Sequence, residues 1–343
     1  MKLIFNSNDN GTEELKELIP FLDSDFNFNN IKPDIKTATN EVYDLIGKEV
    51  YAIAETLYYP TEPSTEPLTE FQQDFLTTLR YPIAINAYRL YSPSNDLSHT
   101  NDGRKMRSDD SQKMPFEWML DRDNAAQEKR YFRALDDLIK FLDNTPKDAP
   151  DTTPETFENQ LATAWTTSVA YQNSHNLFVR TVAEFEVSFP IQSRLILIKL
   201  APGLDLCETE EIISRIGTAK FKELKTKLKA NTSITEASDI QLLKLIKHAC
   251  VFYAMSWAMP RFSVNLYPEG VLQYYASDRA STQAKKPSLN IEPEQARLAF
   301  KNDYEKALLQ IEQFLTPTVN PAVEIDTPTS LDHCHNSNKY FST

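Results

Sequence analysis

The side chains able to do chemistry in this 343-residue chain are sparse, and the densest groups are basic. Arg104, Lys105, Arg107 and Lys113 follow Gly103, and Arg279, Lys285 and Lys286 follow Gly270. Tyr267, Tyr274 and Tyr275 lie beside the second group. Positive charge next to aromatic rings suits contact with an acidic protein surface or with passing nucleic acid. It equally suits a solubilising loop, and at this level both readings stand.

Carboxylates gather at Asp109-Asp110, Asp136-Asp137 and Glu208, Glu210 and Glu211. Paired carboxylates work as acid and base only where their surroundings separate their pKa values. On amphipathic helices they form a solvated face, which is the expectation here. His248 and Cys250 are two residues apart, so on a helix they point to different faces and read as a structural pair. His333-Cys334-His335 would need further ligands to hold zinc or copper and reads as plain tail. There is no Gly-x-Gly-x-x-Gly, Walker-type Gly-Lys-Ser/Thr, His-Glu-x-x-His or nucleophile elbow. These residues single out no catalytic residue, no metal site and no cofactor, and an enzyme built on dispersed carboxylates stays open at this level.

Both basic groups lie between helices that must position them. Segments 76–91 and 243–259 are apolar on more than one face and read as central helices, with Ala87 and Ala254 permitting close approach. After each basic group comes Tyr-x-x-Ala-Leu-x-x-Leu/Ile-x-x-Phe-Leu, an apolar stripe at helical period, stopped by Pro146 or Pro317. Segments 41–55 and 209–228 read as amphipathic helices, each carrying an Ile-Gly pair where the chain bends. Pro202-Gly203 introduces the second of these, and Thr209 before Glu210 and Ile212 suits a helix start. The fold class expected is mainly α.

These segments are two copies of one unit. Glu14-Leu15, Ile19-Pro20 and Ile46-Gly47 recur 170 positions later as Glu184-Phe185, Phe189-Pro190 and Ile216-Gly217. Leu76, Leu79, Ala87, Pro93 and Gly103 recur 167 positions later as Leu243, Ile246, Ala254, Pro260 and Gly270. Tyr131, Ala134-Leu135, Leu138 and Phe141-Leu142 recur 173 positions later as Tyr304, Ala307-Leu308, Ile311 and Phe314-Leu315. Helical periodicity alone does not repeat Gly and Pro positions, so collinear blocks with near-equal offsets mean duplication with small loop changes. The organisation expected is a first helical domain over 1–150, a connecting helix over 151–176, a second domain over 177–317 and an extended tail over 318–343. Within the connection, 157–171 reads as one helix with Trp165 on its apolar side.

Composition bounds the rest. Apolar residues make up 41% and charged residues 25%, as in folded proteins without wholesale disorder. Six glycines, against about 24 at average usage, disfavour Rossmann and P-loop architectures. A net charge of −13 disfavours whole-molecule wrapping of DNA or an anionic membrane. Three distant cysteines, Cys207, Cys250 and Cys334, fit a reducing compartment. The short apolar start is no signal peptide, and the most apolar stretch, 249–259, is about half the ~20 residues of a membrane span. Residues 1–100 carry net −9 and residues 190–300 net +4, so neighbouring copies would attract head to tail.

Taken twice, this unit resembles a family of Bacteroidetes phage and prophage proteins, most closely over 249–260, Pro268-Glu269-Gly270 and 304–315. The single unit is similar to the helical head–tail connector, or adaptor, proteins of tailed phages. The resemblance implies a virion structural protein in a ring of about twelve copies, assembled in the host cytoplasm beside the portal. Its partners would be itself, the portal and other tail rings, with the genome touching it at most transiently and no membrane. The interface candidates it implies are Arg104, Lys105, Arg107, Arg279, Lys285, Lys286 and the segment 317–343, to which the reading of the residues adds Lys113, Tyr267, Tyr274 and Tyr275. A soluble scaffolding or regulatory module, or an enzyme built on dispersed carboxylates, are the other classes the residues allow.

Overall fold

The computed structural model describes residues 1–6, 11–22, 26–60, 67–95, 97–100, 103–106, 116–146, 156–229, 236–262, 264–267, 270–273 and 291–316, the strands by their backbone alone. The first half contains α1 (Gly11–Leu18), α2 (Phe28–Ile46), α3 (Lys48–Tyr58) and α4 (Glu70–Asn95). A hairpin of β1 (Leu97–Thr100) and β2 (Gly103–Met106) follows, then α5 (Glu117–Asp143). Next come α6 (Phe157–Thr167) and α7 (Val169–His175). The second half has α8 (Val182–Glu186), α9 (Arg194–Leu206), a π-helical turn (Cys207–Ile212), α10 (Ile213–Ile216) and α11 (Thr218–Lys229). It closes with α12 (Ala237–Phe262), the hairpin β3 (Val264–Tyr267) and β4 (Gly270–Gln273), and α13 (Ile291–Leu315).

The chain is mainly α and built from two related helical units, and the copying extends to single residues. Helices α4 and α12 each run 26 residues, with both ends 167 positions apart. The hairpins keep that offset and the same register, Thr100 facing Gly103 as Tyr267 faces Gly270. Gly47 (φ 90°, ψ 160°) separates α2 from α3, and Gly217 (φ 79°, ψ 151°) separates α10 from α11. Only glycine adopts that backbone region without strain. Four of the chain's six glycines thus occupy two duplicated turns.

Each unit has its own core. In the first, Ile83, Ala84, Ile85 and Ala87 of α4 are consecutive or nearly so and all fully buried, because that helix is surrounded. The α5 stripe of Tyr131, Leu135, Leu138 and Leu142 closes the core. In the second, α12 and α13 supply Ile246, Ala249, Ala254, Leu308 and Ile311. The segment expected as one connecting helix is two helices, broken at Ser168, whose side chain accepts from Tyr171 N. Leu161 and Trp165 of α6 belong to the first core.

The expected helix start at Thr209 is not observed. Helix α9 begins at Arg194, where Ser193 accepts from Ile196 N, and runs through Pro202 and the π turn to Ile216. Proline inside a helix costs about 3 kcal/mol. Burial of Leu197, Leu200 and Leu204, at roughly 1.5–3 kcal/mol each, more than offsets it. Gly203 serves packing: a Cβ there would meet the Trp257 ring at 2.9 Å and Ala254 Cα at 3.2 Å. The Thr209 hydroxyl bonds back to the Asp205 carbonyl instead of capping.

Candidate functional site

Of the interface candidates, Arg104 and Lys105 lie on β2, opposite His99 and Ser98, and Tyr267 ends β3. Arg107, Lys113, Tyr274, Tyr275, Arg279, Lys285, Lys286 and the segment 317–343 lie outside the described residues, as do Asp109, Asp110 and His333 to His335. The hairpins themselves were not anticipated. Their signal was present in Asn101-Asp102-Gly103 and Pro268-Glu269-Gly270, turn residues flanked by short strand-compatible runs. Two strands of four residues bury too little to be stable alone, and they present unpaired edges.

A second feature emerges only in three dimensions. In the second unit, α8, the end of α11 and the first half of α12 enclose a cleft of about 460 Å³. At its centre Glu184 closes the Thr181 capping box and accepts from Arg180 N and Lys247 Nζ, both at 2.7 Å. Burial pushes the Glu184 carboxyl up, but the Lys247 hydrogen bond, the Arg180 amide and the two nearby cations hold it below the usual glutamate value. Arg180 donates through Nη1 to the Leu228 carbonyl at 2.7 Å, while its buried Nε has no partner among the described residues. Lys227 reaches Asp239 at 2.8 Å. Lys244 is exposed and has no partner among the described residues. Ser188 Oγ and His248 Nδ1 are hydrogen-bonded at 2.8 Å, and burial with nearby Lys244 lowers the imidazole pKa. Val187 and Ile240, 67% and 52% exposed, add apolar surface, with Leu228 and Leu243 behind. Arg180 and Lys247 share Glu184, and Lys227 is held by Asp239 and Glu223, so Lys244 is the cation of this lining left without a carboxylate; beside an apolar floor it suits an anionic ligand with aliphatic groups.

The first unit carries the same ion pair but a different surround. Arg80, 167 positions before Lys247, meets Glu14, 170 before Glu184, at 2.5 Å. There Tyr58 donates to Glu14 at 2.6 Å, and the Arg80 guanidinium lies 4.8 Å from the centre of the buried Phe5 ring. The positions matching Ser188, Lys244 and His248 are Leu18, Thr77 and Tyr81. The pair was findable in the sequence as two charges at the block offsets. The cleft around it was not.

Two carboxylates expected on a solvated face are engaged in the fold. Glu208 is buried because it follows Leu204 by four residues on the buried face of α9, and there it accepts from Phe178 N and pairs with Lys225. Burial raises the Glu208 carboxyl and lowers the Lys225 ammonium, and Lys225 lies 4.2 Å from the Phe178 ring centre. Beside them, Cys207 and Cys250 are free and fully buried, and the Cys250 thiol is pushed well up by burial and by Cys207. That environment makes them structural instead of reactive. Asp136 accepts from Leu195 N at 2.8 Å, tying the first unit to the start of α9. Asp137 is exposed, as expected. Nearby, Arg194 Nε donates to Asp143 Oδ2 at 2.9 Å, and Trp165 Nε1 donates to Asp143 Oδ1 at 2.8 Å.

Among the described residues no helix is long and apolar enough to cross a membrane. The model of a Family of unknown function (DUF6712) matches residues 42–156 and again residues 212–323. The two matches start 170 positions apart and end 167 apart, the offsets of the repeated blocks. No curated protein and no solved structure shows a significant match to the chain.

Proposed function

The chain belongs to the Family of unknown function (DUF6712), and from that premise we propose that it is a non-enzymatic structural protein of a tailed-phage virion. In this reading it is a head–tail connector subunit, assembled as a ring beside the portal around the genome channel. The observation that carries the reading is the repeated arm of central helix, hairpin and terminal helix. A four-residue ribbon contributes little to its own unit, so keeping its register through duplication favours a contact outside the unit. Arg104 and Lys105 stand on β2 and Tyr267 on β3, residue types that suit such a contact. The negative first half and positive later half add a direction to self-association, the heterologous contact from which rings close.

The reading is tested by native mass, from light scattering or native mass spectrometry at low and moderate salt, with and without the matching portal protein. A closed ring of about six or twelve copies in either mixture is expected, with twelve favoured because the second unit lengthens each subunit along the axis. A strict monomer that ignores the portal overturns the reading.

A further inference from the structure

The cleft of the second unit faces away from α13, and the chain beyond α13 has the composition to fill it. The register places the start of that segment. Ser256 Oγ donates to the Arg297 carbonyl at 3.3 Å, and the Tyr253 and Tyr304 rings meet at 5.2 Å, so α12 and α13 run antiparallel. At equal rise per residue, the eleven residues from Tyr304 to Leu315 end level with Leu242 of α12. That is the level of Ile240, Leu243 and Lys244 in the cleft. The faces, however, are opposite. At about 100° per residue, Ile240, Lys244 and Lys247 lie roughly half a turn around α12 from Tyr253 and Ser256.

The segment itself is acidic and aliphatic. Positions 317–338 hold Glu324, Asp326 and Asp332 and no Lys or Arg, and Val323-Glu324-Ile325-Asp326 alternates apolar with acidic side chains. The cleft is its complement, with exposed Val187 and Ile240 between Arg180, Lys227, Lys244 and Lys247. Its volume of about 460 Å³ is within the ordinary range of ligand pockets. The seven residues from Thr316 to Val323 span at most about 25 Å. With exit and cleft on opposite sides of α12, the exit side of one copy meets the cleft side of the next in a head-to-tail array.

We propose that the cleft formed by α8, α11 and α12 receives residues 319–326 of a neighbouring copy, Val323 and Ile325 on its apolar floor and Glu324 and Asp326 against Lys244 and the other cations. The contact deepens the ring reading and rests on it for what the contact builds. Its first copy has no equivalent, because Tyr58, Tyr81 and Leu18 stand where the second has Leu228, His248 and Ser188.

The test uses the full chain. In a Cys334→Ser background, Ile240→Cys and Val323→Cys place one thiol on each surface, while Cys207 and Cys250 are too buried to compete. After mild oxidation, covalent oligomers by non-reducing electrophoresis and mass spectrometry are expected. A link within single chains overturns the proposal, as does a yield no higher than with Lys306→Cys, on exposed α13 surface, in place of Ile240→Cys. In a second measurement, Glu324→Lys with Asp326→Lys weakens self-association by about tenfold or more, and Lys244→Glu restores part of it. A ring that survives the tail reversal removes this contact and leaves the ring reading standing. Links between copies without a closed ring do the opposite.

Discussion

The joint between the two units rests on one buried cation, and its removal and its partner's removal have unequal consequences. The Arg194 side chain is 5% exposed and donates to Asp143 and to Ser174 Oγ, both at 2.9 Å, while its Nη1 has no partner among the described residues. Asp143 is 23% exposed and also accepts from Trp165. Breaking a buried pair by deleting one partner costs about 3–5 kcal/mol, because the other charge is left uncompensated. Asp143→Asn keeps an acceptor for Trp165 but strands the guanidinium. Since water reaches part of the aspartate, the low end applies, about 3 kcal/mol. Asp143→Ala also loses the indole hydrogen bond and adds about 1 kcal/mol. Arg194→Met removes the buried charge together with its orphan donor and leaves a carboxylate that water and Trp165 still serve, so about 1–2 kcal/mol is expected.

Those values order the variants and imply a rescue. Arg194→Met added to Asp143→Asn makes the protein more stable than Asp143→Asn alone by about 1–2 kcal/mol, because no charge is then stranded. Urea unfolding followed by intrinsic tryptophan fluorescence, to which Trp165, buried in the first core beside this joint, contributes with Trp118 and Trp257, reads the differences. A double variant that is the plain sum of the singles, or an Asp143→Asn that unfolds like the parent, would show that the pair does not carry the joint.

Gly217→Ala meets no atom within 4 Å, so its cost is backbone strain alone, about 1–3 kcal/mol, and Gly47→Ala should match it by thermal denaturation. Gly217→Asn should give no relief, since asparagine tolerates the left-handed helical region but not ψ near 150°; full stability would refute the assigned turn. The His175 pKa is lowered by burial and by Arg194 and Arg180, against Asp143 and the Tyr171 carbonyl. The folded protein therefore binds that proton less tightly than the unfolded chain. Its stability is full above about pH 6.5 and falls as pH drops below that value; His175→Gln should shrink the difference between urea midpoints at pH 7.5 and 5.5. An unchanged difference would exclude His175 as its source. Arg104→Glu with Lys105→Glu should leave the melting temperature within about 2 °C while weakening ring formation or portal association in native-mass measurements, because a four-residue ribbon contributes little to the stability of its own unit. Undiminished assembly would take the first hairpin out of the interface.

What the sequence made legible is what depends on near neighbours. The Tyr131 to Leu142 stripe and its copy at Tyr304 to Phe314 needed only a 3.6-residue period, and the turns at Gly47 and Gly217 needed only a residue type. What it hid depends on helix continuity or a distant partner. A helix started afresh at Thr209 leaves Glu208 in solvent, but α9 runs on without a break, so Glu208 follows Leu204 by four residues on the buried face and meets Phe178 N, thirty positions away. Asp136 looks solvated until Leu195 N arrives from 59 positions along the chain. Pro202 reads as a stop because local rules see the missing N–H but not the leucines buried on either side.

The two copies then divide into what stayed and what changed. The ε-region glycines, the 26-residue central helices, the hairpin register and the ion pair between the first and central helices stayed. The groups around that ion pair changed, from Tyr58, Tyr81 and Leu18 to Leu228, His248 and Ser188, and from Leu57 and Thr77 to Lys227 and Lys244. A duplication that kept both surrounds alike would give each chain two equal faces and no direction. Sealing one with aromatic rings and opening the other with cations leaves one anion-seeking cleft per chain. With one acidic segment per chain to meet it, such a contact is heterologous by construction, and it either closes into a ring or propagates as a filament. Which of the two forms depends on the angle between successive copies. If the cleft proposal holds, that angle is set inside the second unit, which carries the cleft and the exit of the acidic segment on opposite faces of α12, so substitutions at Asp143 and Arg194 should change stability and leave assembly geometry alone.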